Sequence, residues 1–316
     1  MSVLAVDDPE WDAWLEGTAH DVYHLAGYHQ AAAESTADSP FMTVIGDRDR
    51  GMAWPYVLRD ISGTDRTDVT SVYGYPGPIA WGVRRGDDFL SSAWTAVRAV
   101  WREQGAVTAF TRFNPILENA DIVAQVRDAR HPVHGPGLVL QGQTVSIDCS
   151  LDVTSGYRRA LRQEIAASRR LGLVTELDEN WSDLPAFIRL YTATLDRRRA
   201  DRSYYVTAED VTRLRNLLGG HLHLFVTKLG DQVATAGLFT RLGSIAQAHL
   251  VGTDEGVAAR SPFKVHLHDV RRWAHHQGCS SLHLGGGFGA KEDSLFAFKK
   301  RFAVAPPVPH RSMGNR

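Results

Sequence analysis

Runs of apolar and β-branched residues flank the polar turn DRDRG within FMTVIGDRDRGMAWPYVLRD (41–60), which predicts two strands joined by a Gly-containing loop. In DDFLSSAWTAVRAVWREQ (87–104) the apolar residues Phe89, Trp94, Val97 and Trp101 recur at helical spacing, and acidic residues open the segment. That predicts an amphipathic helix whose charges suit its dipole. Residues 9–17 and 21–35 read as helices, VTAFTRF (107–113) as a strand and ILENADIVAQVRDA (116–129) as a further helix. SVYGYPGPIAW (71–81) is a Tyr/Gly/Pro loop, and HPVHGPG (131–137) is punctuation. VLQGQTVSIDCS (139–150) carries the chain out of this region, so a boundary is expected near residue 147.

The second half has a plainer order. SGYRRALRQEIAASRRLG (155–172) predicts a helix stopped at Gly172, followed by the strand LVTELDE (173–179). Two helices (184–200 and 208–220) precede a three-strand meander over 221–253 with turns at LGDQ and RLGS. SPFKVHLHDVRRWAHHQG (261–278) is a helix with Pro262 in its first turn and Gly278 as its stop. SSLHLGGG (280–287) is a strand and DSLFAFKKRF (293–302) a short last helix, before the Pro-rich tail AVAPPVPHRSMGNR. A strand run, then helix and strand, builds a mixed sheet whose fourth and fifth strands are parallel neighbours. This order resembles the GNAT acyltransferase fold, and the first half reads as a degenerate copy of the same unit. The expectation is an α/β chain with α+β mixed sheets: a GNAT-like domain over 1–146, a second over 147–302, and a tail, 303–316, packing back on the first.

Composition adds an asymmetry. Residues 1–150 hold 11 Lys+Arg against 20 Asp+Glu, and residues 151–316 hold 24 against 16. A basic half suits a domain that meets a polyanion, although solvated charged faces also drift in sign. No apolar run approaches the ~20 residues of a membrane span, and the acidic start MSVLAVDDPEWDAW has no signal-peptide pattern. Cys149 and Cys279 lack metal-ligand spacing, and HLH (221–223), HLH (266–268) and HH (275–276) are not joined to carboxylates at zinc spacing. The expectations are therefore a cytoplasmic protein, no membrane, no metal and reduced thiols.

LHLGGGFGAKEDSLFAFKKRF (282–302) holds the densest candidate chemistry. A dinucleotide fingerprint needs G-x-G-x-x-G after the first strand of a β-α-β unit, whereas this GGG-F-G follows the fifth. A phosphate loop needs Lys followed by Ser or Thr, and Lys291 is followed by Glu292. The glycines also read simply as a place where a strand splays and the chain turns with φ > 0. From AHLVGT (248–253) through this stretch, the chain resembles the closing region of the Fem-type (FemABX) family and the Fem-like acyltransferases. The features that carry the resemblance are the Gly-rich turn, Asp293-Ser294-Leu295, and Phe298-Lys299 with Phe302. YRRALRQEIAASRRLGL is similar to the basic helix opening the family's second domain, and VYHLAGYHQAAA and VYGYPGP to segments of its first.

The family consists of tandem GNAT proteins that move an amino acid from aminoacyl-tRNA onto an amine. The resemblance implies that Lys299 stabilises the oxygen that turns anionic in the tetrahedral intermediate, with Phe298 shaping and drying the channel. It also implies that the ribose hydroxyl beside the ester relays the proton. His249, at the end of the fourth strand, is the candidate protein base, although a core histidine fits the same position. Arg158, Arg162 and Arg169 fall on one face of their predicted helix and, with Lys300, are the candidate tRNA contacts; a solvated face with Glu164 as partner reads equally well. Arg198, Arg202, Tyr204, Tyr205, Gly285, Gly286 and Gly287 are the candidate acceptor-binding residues. The helix AGYHQAAAEST (26–36) lacks the basic residue with which cell-wall Fem enzymes meet their nucleotide-linked precursor. The expected acceptor is therefore a small-molecule amine, for example in the biosynthesis of an antibiotic or other specialised metabolite, and a peptidoglycan precursor is the alternative. The expected enzyme is a monomer with aminoacyl-tRNA as co-substrate and no cofactor. The other donor considered, an acyl-CoA thioester, needs amides facing pyrophosphate where this chain has TDEGVAARSPF (253–263), headed by two acids.

Overall fold

A computed structural model describes every residue of the chain except Ala37, Arg85, 127–136, Ser155 and Arg316. The chain divides into two compact units, Met1–Gly142 with Pro309–Arg316, and Gln143–Val308.

The first unit runs β1 (Ser2–Ala5), α1 (Glu10–Leu15), α2 (Ala26–Thr36), β2 (Ser39–Gly46), β3 (Gly51–Asp60), β4 (Thr67–Thr70), β5 (Ile79–Trp81), α3 (Phe89–Glu103), β6 (Ala106–Arg112) and α4 (Ala120–Ala124). The predicted hairpin is β2–β3, paired antiparallel from Ser39↔Leu58 to Gly46↔Gly51. The predicted stripe of α3 also holds: Trp94, Val97 and Trp101 are buried against Trp54 and Tyr56 of β3. The helix expected over 21–35 is broken, because Asp21 caps a 3-10 turn (Val22–His24) that precedes α2. The helix expected over 116–129 shrinks to α4. Upstream of it, Asn114 accepts from the amides of Ile116 and Leu117, and Asn119 accepts from that of Asn114, so side chains hold the turn. The end of that prediction and most of HPVHGPG lie outside the described residues. The tail expected to pack back on the first domain contains a strand, Val308–Asn315, which pairs antiparallel with β6 and buries Met313 in the Trp54–Trp94–Trp101 core.

β7 (Leu138–Asp148) begins in the first unit and carries the chain into the second, where it leads to α5 (Arg159–Arg170), β8 (Leu173–Leu177), α6 (Leu184–Arg198), α7 (Ala208–Leu218), β9 (Leu222–Leu229), β10 (Gln232–Leu242), β11 (Ile245–Thr253), α8 (Pro262–His276), β12 (Ser281–Gly285) and α9 (Ser294–Lys300). The sheet order is β7-β12-β11-β10-β9-β8, antiparallel except for the β11–β12 pair that α8 connects. The strand Val308–Asn315 is numbered β13. Helices cover both faces. A Cβ on Gly237 would lie 3.1 Å from the His266 ring of α8, whereas one on Gly252 would lie 2.4 Å from the α6 backbone at Leu190 and Tyr191. Leu161 and Ile165 of α5 and Leu267, Val270 and Ala274 of α8 share a core with Val145, Ile147, Leu282 and Leu284 of the central strands. Buried Arg271 donates to the carbonyls of Asp148, Asp152 and Val153, which fixes the loop leading into α5.

Candidate active site

The parallel strands β11 and β12 share only three register pairs, ending at Gln247↔His283. Just beyond that row, Leu238 of β10 faces Leu250 and Phe239 faces Ala248, so His249 is the inserted residue of a β-bulge. Bulges bend a strand and end regular pairing. On β12 the register with β7 slips between His283 and Gly285, and Gly285 takes φ 71°. The sheet therefore opens at the C-terminal ends of two adjacent parallel strands, a place where α/β sheets offer backbone groups to ligands.

The glycines serve this opening sterically. A Cβ on Gly287 would sit 2.1 Å from the Lys291 carbonyl oxygen and 2.3 Å from Asp293 Oδ1, so no side chain fits. Asp293 then ties the turn to α9: its carboxylate accepts from Phe288 N at 3.1 Å and, as N-cap, from Phe296 N at 2.9 Å. Burial opposes the charge on Asp293, but those amide donors and nearby Arg198 outweigh it and hold the carboxyl below its ordinary value.

Lys299 is carried by α9 back to the turn, where Nζ donates to the Gly286 carbonyl at 2.6 Å. Desolvation pulls its pKa from 10.5 to about 8, Asp293 favouring the charged form and Arg198 opposing it. Phe298 stacks on Phe263 at 5.2 Å with an interplanar angle of 11°, and lies 5.5 Å from Phe302. Half-exposed Phe288 is approached by the Arg198 guanidinium at 5.7 Å and by the Tyr204 ring at 6.5 Å. The structure thus gathers Gly286, Gly287, Phe288, Asp293, Arg198, Tyr204 and Lys299 in one neighbourhood. Phe288 and Asp293 were not among the candidate site residues, although Asp293 helped carry the family resemblance; an Asp-Ser pair heading a short helix was the signal for the cap.

Other predicted residues are placed differently. Arg158 is the N-cap of α5 with extended backbone and so falls outside the helical stripe drawn through it. Arg162 donates to the Tyr157 carbonyl at 2.8 Å, and Arg169 is ion-paired to Asp269. Only Arg162 and Arg169 share that face, and the second is already neutralised. Arg202 lies over Tyr205, whose hydroxyl donates to Asp196 at 2.7 Å, a group of their own. Lys300 is exposed above the Phe296 ring. Burial lowers the His249 pKa to about 4, so its imidazole is neutral at physiological pH. Clefts of about 440 Å³ beside Leu90 and Asp121 and about 660 Å³ beside Trp181 and Arg215 include none of these residues. Among the described residues no cluster of His, Cys, Asp and Glu is placed to hold a metal, and no helix is long and apolar enough to cross a membrane.

Residues 155–299 match the acetyltransferase (GNAT) domain family. The fold resembles the crystal structure of FemX, with 12% identity and a TM-score of 0.72, covering 99% of this chain and 97% of that one. It also resembles the C-terminal domain of a putative lysylphosphatidylglycerol synthetase from Agrobacterium fabrum (16% identity, TM-score 0.58, 92% and 87% covered). A tandem GNAT protein from the clavulanic acid biosynthesis pathway is similar at 13% identity and TM-score 0.50, with 99% and 97% covered. No curated protein sequence matches the chain. The second unit carries the match to the GNAT domain family and has its fold. The chain as a whole has the Fem-like tandem GNAT fold that the closing motifs suggested.

Proposed function

We propose that the protein forms an amide bond by moving an aminoacyl group from aminoacyl-tRNA to the amine of a small acceptor. The observation that carries this reading is the half-buried Lys299 ammonium at the point where β11 and β12 part. In the reaction, the acceptor nitrogen attacks the ester carbonyl carbon and the carbonyl oxygen becomes anionic. The C–O bond to the ribose then breaks, and the amine proton passes to the leaving hydroxyl, directly or through its vicinal neighbour. An ammonium has three donors; Gly286 takes one, which leaves donors for the developing oxyanion in a partly dry site. His249 stands beside the opening as a neutral side chain, and a pKa of about 4 makes it a weak base for an ammonium proton. Phe298, Phe288 and Tyr204 supply apolar walls, and Arg198 supplies a cation for an acceptor.

The loop between β11 and α8 supports an ester donor over a CoA thioester. Asp254 caps the 3-10 turn Glu255–Arg260 and accepts from the Gly256 amide at 2.9 Å, so a carboxylate already takes one of the loop's amides and would repel a pyrophosphate at short range. Pro262 removes a further donor at the start of α8. The acetyltransferase description of the matched domain favours the second reading, an acyl-CoA-dependent N-acyltransferase. Incubation with a pool of charged tRNAs and candidate amines, read by mass spectrometry, tests the choice. An amide product that disappears on RNase treatment is expected. Product that survives RNase, with thermal stabilisation by micromolar CoA, would establish the second reading instead.

A further inference from the structure

α9 has seven residues, too few to hold its own geometry in water. Its apolar side is anchored by buried Phe296, and Phe302 beyond it packs edge-on to Tyr157 at 5.7 Å. These rings, together with Phe298 of α9 stacked on Phe263 of α8, fix where the helix lies and one side of its roll, and polar contacts hold the other side. Arg301, the C-cap, supplies the strongest of these: its guanidinium donates to both Glu164 carboxylate oxygens at 2.8 and 2.7 Å. Lys264 of α8 reaches the same carboxylate at 3.0 Å and also donates to Ser261 Oγ at 3.0 Å. Residues two apart on a helix point about 200° apart, so drawing Arg301 towards α5 turns Lys299 the other way, towards the Gly286 carbonyl. Glu164 is 137 residues from Arg301 in sequence, and its ion-pair partners are Arg301 and Lys264.

We propose that Glu164 is a positioning residue for Lys299: by clamping Arg301 and Lys264 it sets the roll of α9 and so keeps the Lys299 ammonium at the end of β12. This rests on the reading of Lys299 as the donor to the acyl oxygen. The groups that face Lys299 are Asp293 at the head of its own helix, Arg198 of α6 and the Gly286 carbonyl. Those that face Glu164 are Arg301 and Lys264, which with their hydrogen bonds hold its carboxyl below the ordinary value. Releasing the clamp lets Lys299 swing towards water, and its lowered pKa then relaxes upward.

The test is competitive acetylation of the full chain with acetic anhydride across pH 6–11, with Lys299 and exposed Lys291 followed by fragment mass spectrometry. In the unaltered protein the Lys299 midpoint is expected near 8. Glu164→Gln is expected to raise it by about one pH unit, with Lys291 unmoved, and Glu164→Asp is expected to restore most of the difference. Arg301→Gln cuts the same clamp from the other side while leaving Lys264 its partner, and is expected to act in the same direction; it decides the matter if Glu164→Gln fails to fold. With charged tRNA the signature is a fall in kcat at unchanged KM. A Lys299 midpoint that stays at the unaltered value in a cooperatively melting Glu164→Gln or Arg301→Gln protein overturns the proposal. The labelling needs no turnover, so it decides the clamp even where the transfer reaction is itself refuted.

Discussion

Lys299→Met is the substitution in which function and stability are expected to part company. Met keeps most of the apolar stem and removes the ammonium. Loss of one preorganised oxyanion donor lowers kcat by about 10²–10³. The fold should respond in the opposite sense. Burial moves the Lys299 pKa from 10.5 to about 8, a difference of about 2.5, at about 1.4 kcal/mol each. Since the side chain is only half-buried and donates to Gly286, about a third to a half of that survives screening, about 1–2 kcal/mol against folding. The sign follows from the lowered folded-state pKa. The penalty is full below pH 8, fades between 8 and 10.5, and is absent above, where both folded and unfolded chains carry the neutral amine. Lys299→Met should therefore raise the melting transition of the second unit by about 2–6 °C at pH 7 and leave it unchanged near pH 11. Transfer by the unaltered enzyme should fall above pH 8, to about a tenth of its plateau at pH 9. Scanning calorimetry at the two pH values, with single-turnover rates from pH 6 to 9.5, makes the comparison. A rate that stays flat to pH 9.5, or a Lys300→Ala protein as impaired as Lys299→Met, would refute the reasoning.

Gly287→Ala places a methyl group 2.1 Å from the Lys291 carbonyl and should cost more than about 2 kcal/mol while abolishing transfer, seen as a lower denaturation midpoint. Asp293→Ala removes the cap of α9 and the tie to Phe288 N; about 1 kcal/mol of stability should go with it, together with a larger loss of rate. Arg162→Glu should weaken RNA binding and lower the salt slope by about one, while Arg169→Ala, already paired to Asp269, should change it little; filter binding at several salt concentrations separates them. His249→Ala should leave the rate within about threefold between pH 6 and 8, because a base with a pKa of about 4 contributes little there; a tenfold loss would return the proton to the protein.

The elements that could be read from sequence were those whose periodicity was set by a buried face. The stripe Trp94, Val97 and Trp101 and the meander over 221–253 fall in this class. β4 could not be read, because Thr67–Thr70 buries a single residue, Val69, and no period can be drawn through one position. β13 was hidden for a related reason: its contribution to the core is mainly Met313, and a proline run precedes it. At the site, the motif drew attention to Lys299 and the glycines through family resemblance. The partners of Lys299 were out of reach of local pattern. Arg198 and Asp293 come together only through tertiary folding, and the offset between Arg158 and Arg162 carried no helical meaning once Arg158 proved to be a cap.

Strand β13 has a consequence for how the first unit comes into being. Its sheet needs residues 309–315 beside β6, although the rest of that unit ends at Gly142. During synthesis the middle of the chain can close its own core while the leading segment still waits, with the Trp54–Trp94–Trp101 nest short of Met313. A stalled ribosome or a nick near residue 305 would therefore strand the half of the protein made first.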